Sequence, residues 1–245
     1  MIQNIFTEKI NTEKKIKHRI CSFVRRQSRL TNYQKHALKI LWPKIGLNFV
    51  SEPLVFYEIF GNHAPVIMDI GFGMGTELVT IAKKNPNKNF LGIEVYKPGI
   101  GACLIAATEM KITNLRIIYY DAIEILENML ANNTLNVIQL FFPDPWPKKK
   151  HQKRRIIQKK SAELILNKLK IGGVLHIATD CQSYAEHILK VITEITGYEN
   201  LSITGNYIER PNSRPLTKFE KRGQKLGNTI FDIMFKKITK KHIPI

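Results

Sequence analysis

A glycine-rich loop between an apolar strand and a helix most strongly limits what this chain can fold into. Residues 66–70 are apolar at all but one position, and the loop Asp69–Thr76 joins them to a segment with helical spacing. Gly71 and Gly73 permit a tight turn and a close approach of the backbone to a ligand. Glu94 follows Gly73 by the ~20 residues that are typical of a carboxylate that accepts hydrogen bonds from ribose hydroxyls. The pattern predicts the mononucleotide-binding half of a doubly wound α/β domain that binds an adenosine-type cofactor.

Strand-like and helix-like segments alternate after Pro65, as is typical of a mostly parallel sheet with helices on both faces. The predicted strands are Val66–Ile70, Asn89–Val95, Leu115–Tyr120, Val137–Phe142, Val174–Ala178 and Thr229–Lys237. The predicted helices are Glu77–Lys84, Gly101–Met110, a segment containing Ile125–Leu130, Ile156–Leu169 and Tyr184–Ile195. We predict a doubly wound, mostly parallel, seven-stranded α/β domain over residues 51–245, preceded by a basic extension over residues 1–50.

The charge of the chain favours a polyanionic partner. Lysine and arginine number 38 against 20 acids, a net charge of +18, and such an excess favours nucleic acid. The extension is either a solvated, partly disordered arm or a segment that lies along a phosphate backbone. Its basic residues include Lys14, Lys15, Lys17, His18, Arg19, Arg25, Arg26, Arg29, Lys35 and Lys39.

Two features of the loop narrow the choice among adenosine-type cofactors. Thr76 stands where the third glycine of a dinucleotide-binding loop would fall, which weakens the case for a nicotinamide cofactor. Asp69, at the end of the strand, is badly placed for a pyrophosphate but suits the ammonium and sulfonium of S-adenosylmethionine. Asp121 and Ala122 would then lie at the adenine edge. Methyl transfer is therefore favoured over hydride transfer.

Acidic residues lie at the ends of successive predicted strands, or just after them, at intervals of about one βα unit. Ligands of open parallel sheets bind outside the carboxyl ends of the strands, so we expect these acids to converge on one cleft. The alternative for any one of them is a helix N-cap. The five acids are Asp69, Glu94, Asp121, Asp144 and Asp180.

The string from Phe141 to Pro147 is the most distinctive in the chain. Its three prolines fix the backbone around Asp144, which predicts a rigid carboxylate beside an aromatic face where substrate meets cofactor. A basic run follows directly. It is either a solvated face or, because it adjoins the candidate catalytic loop, a set of phosphate contacts for a nucleic-acid substrate. The run comprises Lys148, Lys149, Lys150, His151, Gln152, Lys153, Arg154 and Arg155.

These motifs together resemble the bacterial tRNA (guanine-N7-)-methyltransferases, which are class I, S-adenosylmethionine-dependent enzymes. The resemblance runs from about Asp69 to Phe235. It is carried by the Gly-Phe-Gly-Met-Gly loop and by the segments Leu91–Val95, Pro143–Trp146, Ala178–Asp180 and Arg214–Gly223. It implies a class I methyltransferase fold, S-adenosylmethionine as cofactor and tRNA as partner, with N7 of a guanine in the variable loop as the target.

The resemblance also implies roles for individual residues. Asp144 would be the active-site acid and, with Asp69, Glu94 and Asp121, a cofactor contact. The implied substrate contacts are Lys148, Asp180, Thr217, Lys218, Phe219 and Glu220, and the implied RNA contacts are Lys150, His151, Gln152, Lys153, Arg154 and Arg155. Asp69 stands where members of the family often carry Glu, so its reach is shorter, and Pro147 and Lys149 vary the loop after Trp146.

Other features limit the remaining possibilities. Cys21, Cys103 and Cys181 are too far apart for a zinc site or a disulfide framework, and we predict no metal. No apolar run is long enough for a membrane span or a secretory signal, so we expect a cytoplasmic protein. We also expect a monomer with no obligatory protein partner. Two alternatives stay open: a methyltransferase that acts on an exocyclic amine of RNA, DNA or protein, and a non-catalytic RNA-binding relative.

Overall fold

The computed structural model describes residues 20–24 and 28–239. In this part of the chain, helices flank an eight-stranded sheet. The strands are β1 (Gly46–Leu47), β2 (Val66–Ile70), β3 (Asn89–Glu94), β4 (Leu115–Tyr119), β5 (Leu135–Phe141), β6 (Leu169–Thr179), β7 (Tyr198–Asn200) and β8 (Phe231–Lys237). The helices are α1 (Asn32–Ile45), α2 (Phe56–Phe60), α3 (Thr76–Lys84), α4 (Lys97–Glu109), α5 (Ala122–Asn128), α6 (Lys159–Lys168), α7 (Gln182–Thr193) and α8 (Lys218–Lys225), with a short 3₁₀ helix at Lys149–Arg154.

The strand order β1-β4-β3-β2-β5-β6-β8-β7 confirms the predicted doubly wound sheet. Strands β1 to β6 pair in parallel, whereas β8 runs antiparallel to both β6 and β7. The predicted number of seven strands is too low by one. Strands β1 and β7 contain two and three residues, too few for a pattern of alternating hydrophobicity to be visible in the sequence.

The central strands are buried on both faces because helices cover the sheet from two sides. Every residue of β2 and β3 is buried, as expected for parallel strands that read as continuous apolar runs. Apolar residues of α1, α3 and α4 pack against one face of the sheet. Those of α5, α6 and α7 pack against the other. Two hydrophobic cores therefore hold the sheet as a rigid platform.

Two predicted helices begin at the wrong residue. Helix α4 begins at Lys97, four residues before the prediction, because Pro98 in its first turn is compatible with a helix start. Helix α6 begins at Lys159, later than predicted, because Gln158 and Ser161 form a reciprocal capping pair there.

Part of the predicted basic extension is folded against the sheet. Thr31 and Gln34 form a capping box at the start of α1, and the helix buries Leu38 and Trp42 against the core. Gln34 Nε2 also donates to the carbonyl of Pro98 in α4, at 3.1 Å. The boundary at residue 50 thus falls after two elements of the packed structure. The other basic residues of the extension, Lys14, Lys15, Lys17, His18, Arg19, Arg25 and Arg26, lie outside the described residues.

The strand order reverses between β2 and β5, since β3 and β4 lie to one side of β2 and β5 and β6 to the other. A crevice opens at the carboxyl ends of strands where such a reversal occurs, and this is where ligands of open α/β sheets bind. No helix within the described residues has the length and apolarity required to cross a membrane.

Candidate active site

The glycine loop after β2 leaves its backbone open to a ligand. Gly71 and Gly73 have φ angles of 79° and 61°, in the left-handed region that favours glycine. A Cβ placed on either would meet no atom within 4 Å. Gly75 differs, because a Cβ there would lie 2.4 Å from Sγ of Cys103 in α4. The first two glycines therefore expose the loop, whereas Gly75 provides the close helix packing that the missing third glycine would otherwise supply.

Glu94 at the end of β3 holds this loop in place. Its Oε2 accepts from the amide of Gly73 at 2.7 Å, and its Oε1 accepts from the amides of Val95 and Tyr96 at 2.6 and 2.9 Å. Burial raises the pKa of Glu94; the three amides oppose this shift, and the charge of Asp144 adds to it. A carboxylate has about four lone-pair positions, so Oε2 retains one for a further donor.

Asp69 lies near the end of β2, as predicted, and its side chain is buried. Burial, followed by the charges of Glu94 and Glu77, raises its pKa to about 7. The carboxyl group is thus poised between its neutral and charged forms near neutral pH. A neighbouring cation would favour the charged form.

Asp121 and Asp180 follow β4 and β6 but have additional contacts. Asp121 is the N-cap of α5 and accepts from the amide of Ile123 at 2.9 Å, which is the alternative expected for such an acid. Asp180 Oδ2 lies 3.4 Å from Nδ2 of Asn228, beyond the end of α8. Glu94 thus lies near enough to Asp69 to raise the pKa of that group, and the charge of Asp144 in turn raises the pKa of Glu94. Asp180 lies towards α8.

The loop that carries Asp144 is rigid and strained. Phe142 and Trp146 on either side have φ angles of 53° and 44°, which are uncommon for residues with side chains. Phe142 donates its amide to the carbonyl of Ala178 at 2.7 Å. Asp144 itself is exposed, so its carboxylate is held at the carboxyl edge of the sheet and open to solvent.

The basic run after this loop divides into exposed and buried residues. Lys148, Lys149, Lys150 and Lys153 are exposed, whereas His151, Gln152 and Arg154 are half-buried. The Trp146 ring stacks on His151, with centroids 6.1 Å apart, and lies below the Arg154 guanidinium at 4.2 Å. Arg154 also donates to the carbonyls of Cys21 and Phe23, and Trp146 Nε1 to that of Ser22. The four lysines are free to meet phosphates.

Arg155 departs from the predicted role of an RNA contact. It is 3% exposed, and its Nε donates to the carbonyl of Pro145 at 2.9 Å. Its guanidinium lies 4.8 Å from the centre of the Tyr184 ring. Because these contacts enclose the side chain, Arg155 braces the Asp144 loop from below and does not present its charge to a phosphate.

Helix α8 turns two of its predicted substrate contacts inward. Thr217 caps the helix by accepting from the amide of Glu220 at 3.0 Å, and Glu220 is 1% exposed and bonded to Arg214 at 2.5 and 3.0 Å. Lys218 and Phe219 are exposed. The predicted substrate contacts Thr217 and Glu220 thus fix the helix, whereas Lys218 and Phe219 face outward.

Comparisons with known proteins identify the family. A family model described as "Putative methyltransferase" matches residues 63–233. A tRNA (guanine-N(7)-)-methyltransferase from Photorhabdus laumondii subsp. laumondii is 56% identical over 238 residues, which cover 97% of this chain and 100% of that protein. One from Salmonella typhimurium is 54% identical over 220 residues, which cover 90% and 92%. The chain belongs to the tRNA (guanine-N(7)-)-methyltransferase family.

Solved structures agree on the fold of this methyltransferase. The 16S rRNA methyltransferase KamB matches with a TM-score of 0.53 at 15% identity, and the match covers 75% of this chain and 93% of KamB. An rRNA methylase from Streptococcus thermophilus matches with a TM-score of 0.50 at 14% identity, and the match covers 78% of this chain and 99% of that protein. At such low identity these similarities establish the class I methyltransferase fold alone.

This methyltransferase contains a buried ionic cluster that was not predicted from the sequence. Arg214 bonds Glu220 and also donates from Nη2 to Oδ2 of Asp232 at 2.8 Å. Arg214 Nε lies 2.7 Å from Asp232 Oδ1, although the direction is wrong for a hydrogen bond. His176 Nε2 lies 2.8 Å from the same Oδ1. An acid inside the apolar strand Phe231–Phe235 was the visible signal, because a buried carboxylate requires a partner.

Proposed function

We propose that this methyltransferase transfers a methyl group from S-adenosylmethionine to N7 of a guanine in tRNA. The observation that carries the proposal is the match of 52–56% identity, over almost the whole chain, to proteins named for that reaction. The exposed Asp144 on its braced loop, beside a row of exposed lysines, supports it. The variable-loop guanine is the target that we infer from the family.

The residues at the crevice fit S-adenosylmethionine. Gly71 and Gly73 leave room for a ligand against the backbone, and Glu94 retains a lone-pair position for a ribose hydroxyl. Asp69 supplies negative charge for the cationic end. We propose that these residues hold the cofactor together with Asp144 and with Asp121 and Ala122 at the adenine edge. When bound, S-adenosylmethionine supplies a methyl group on positively charged sulfur.

The target atom explains why the site needs no general base. Guanine N7 is a hydrogen-bond acceptor with a free lone pair and no proton, so no proton has to leave it before it attacks a methyl carbon. The protein must hold the two atoms close and in line, which can lower the barrier by several kcal/mol. Methylation leaves positive charge on the purine, and a carboxylate fixed nearby stabilises that charge as it develops.

Asp144 is the carboxylate that we assign to this role, with Asp180 as a second contact. Guanine presents donors at N1 and at its 2-amino group, and a carboxylate can accept from both. Adenine lacks this pair of donors and would leave the carboxylate without a partner once the bound base shields it from water, so the arrangement selects guanine. A guanine stacked within folded tRNA must leave the stack to reach Asp144, as in other enzymes that act on bases.

Cofactor affinity is expected to rise with pH. The pKa of Asp69 is about 7, so its carboxyl group is about one-tenth ionised at pH 6 and nine-tenths ionised at pH 8. A sulfonium binds the ionised form, and affinity for S-adenosylmethionine should therefore increase about tenfold from pH 6 to pH 8. Titration calorimetry at several pH values measures this. Asp69→Asn should bind more weakly at pH 8, with the pH dependence removed; a wild-type affinity independent of pH would contradict the assignment.

Product identification tests the proposed reaction. The protein is incubated with bulk tRNA and S-adenosylmethionine labelled in the methyl group, the RNA is digested, and the labelled nucleoside is identified. We expect 7-methylguanosine, and sequencing of the modified tRNA should place it in the variable loop. Label on an exocyclic amine would instead favour the alternative methyltransferase. RNA binding without transfer would favour a non-catalytic relative.

A further inference from the structure

Arg155 joins two segments that each carry an acid of the proposed active site. Its Nε donates to the carbonyl of Pro145, directly after Asp144, at 2.9 Å, and its Nη1 donates to the carbonyl of Ser183 at 3.4 Å. Ser183 lies in the first turn of α7, three residues after Asp180. One guanidinium therefore bridges the segment that follows β5 and the segment that follows β6.

The guanidinium of Arg155 is enclosed by protein. Arg155 is 3% exposed, and its Cζ lies 4.8 Å from the centre of the Tyr184 ring, which is itself fully buried. Its Nη2 is buried and has no hydrogen-bond partner among the described residues. A phosphate contact requires a donor at the surface, whereas each nitrogen of this guanidinium is either bonded to a carbonyl or buried.

The backbone that carries Arg155 is fixed on α7 as well. The amide of Ile157 donates to the hydroxyl oxygen of Tyr184 at 3.4 Å, and the carbonyl of Ile157 lies 2.9 Å from Nε2 of His187. The amide of Arg155 itself donates to the carbonyl of Gln152 at 3.0 Å. The guanidinium thus starts from a rigid base, and its position constrains the two segments that it bridges.

We propose that Arg155 is a positioning residue that sets the separation of Asp144 and Asp180, the two acids assigned to the donor edge of guanine. The proposal rests on the proposed function, which gives both carboxylates the same base to contact. A base between two carboxylates is correctly placed only if both lie at the right distance, and a displacement of about 1 Å can lower a rate by about 10²-fold. Arg155 therefore acts through the acids and touches neither the RNA nor the cofactor.

Arg155→Met tests this role, because methionine removes the guanidinium without burying a new charge. We expect the rate of single-turnover methylation of tRNA to fall by about 10–100-fold, while the affinity for tRNA stays within about twofold of wild type. Arg155→Lys should lose nearly as much rate, because a flexible ammonium does not reproduce the rigid fork of a guanidinium. If Arg155 contacted a phosphate, the charge retained by lysine would preserve much of the function.

The salt dependence of tRNA binding separates the bridging role from a phosphate contact. Loss of one phosphate contact reduces the slope of log affinity against log salt concentration by about one. Lys150→Met removes an exposed cation of the same basic run, and it should weaken tRNA binding and reduce this slope. Arg155→Met should leave the slope unchanged. Filter binding without cofactor, at several salt concentrations, measures both variants.

Two further variants identify the cause. Tyr184→Phe keeps the ring beside the guanidinium and removes only the hydroxyl, so its methylation rate should stay close to wild type. Arg155→Met combined with Asp144→Asn should be little slower than Asp144→Asn alone, because a residue that acts through a carboxylate has little effect once that carboxylate is lost. The melting temperature and the calorimetric affinity for S-adenosylmethionine show that each variant is folded at the assay temperature.

The proposal is wrong if Arg155→Met methylates tRNA at the wild-type rate, or if it reduces the salt slope as Lys150→Met does. A wild-type rate in Arg155→Lys would also contradict it, because charge alone would then be sufficient. Arg155→Lys provides the same comparisons if Arg155→Met does not fold. A failure of the proposed reaction is seen separately, in the nucleoside that the wild-type protein produces, whereas the salt slope measured without cofactor judges Arg155.

Discussion

Asp144→Asn is expected to lower kcat by about 10²–10³-fold, the usual effect of removing one electrostatic group that stabilises a transition state. Asparagine keeps the size of the side chain but lacks the negative charge that opposes the positive charge forming on the purine. The loop should keep its shape, because Arg155 holds the carbonyl of Pro145 and Phe142 is bonded to Ala178. Single-turnover methylation of tRNA at saturating cofactor measures the effect.

Two measurements show whether the fall in kcat of Asp144→Asn comes from the loss of its charge at the active site. Cofactor affinity by calorimetry should stay within a few-fold of wild type, since Asp144 is one of several proposed cofactor contacts. Glu58→Gln removes the same charge from an exposed position on α2, which precedes β2 and so lies near the amino end of that strand. It should leave kcat unchanged. Turnover of Asp144→Asn near the wild-type rate would exclude Asp144 as the acid.

Arg214→Met should destabilise the fold by about 3–5 kcal/mol, the usual cost of removing one partner from a buried ionic group. Glu220 and Asp232, which are 1% and 2% exposed, would lose the cation that both of them contact. For a chain of this size, the melting temperature should fall by roughly 10 °C. Thermal and urea unfolding at pH 7 measure the change.

Arg210 provides a matched control on the same acid. Its Nε lies 3.7 Å from Oε1 of Glu220, but its side chain is 40% exposed. Exposed ion pairs typically contribute less than about 1 kcal/mol, so Arg210→Met should have a small effect. The triple replacement of Arg214→Met, Glu220→Gln and Asp232→Asn should restore part of the stability lost in Arg214→Met, because no buried charge then lacks a partner. If Arg214→Met and Arg210→Met lost the same stability, burial would not be what makes the contacts of Arg214 strong.

The centre of the fold could be predicted because its signals are local. The apolar run of β2, its glycine loop and the acid that ends β3 lie within about thirty residues, and backbone sterics with burial determine them. Helix α1 was missed because its basic residues dominate the composition of that stretch. Its buried residues Leu38 and Trp42 and its capping pair Thr31 and Gln34 were nevertheless in the sequence. An amphipathic helix was therefore overlooked because the segment was judged by its charge.

The positions of the candidate site residues at the strand ends could be predicted from the sequence. The direction of several side chains could not, because it depends on contacts between distant segments. Glu94 and Asp144 interact as the strand ends suggested. The direction in which Arg155 and Glu220 point is decided by Pro145, Tyr184 and Arg214. A run of basic residues does not reveal which one will turn inward. That choice depends on which carbonyl groups and rings the tertiary fold places behind it.

The short outer strands of the sheet have a consequence for self-association. An exposed sheet edge can template the addition of a strand from another molecule, and proteins limit this with short or charged edges. Here the outermost strands, β1 and β7, contain two and three residues, and Glu199 in β7 is paired with Lys236 at 2.6 Å. A second copy would find little backbone to extend. Within the described residues, the edges of the sheet that supports the active site thus carry two of the features by which proteins limit edge-to-edge pairing.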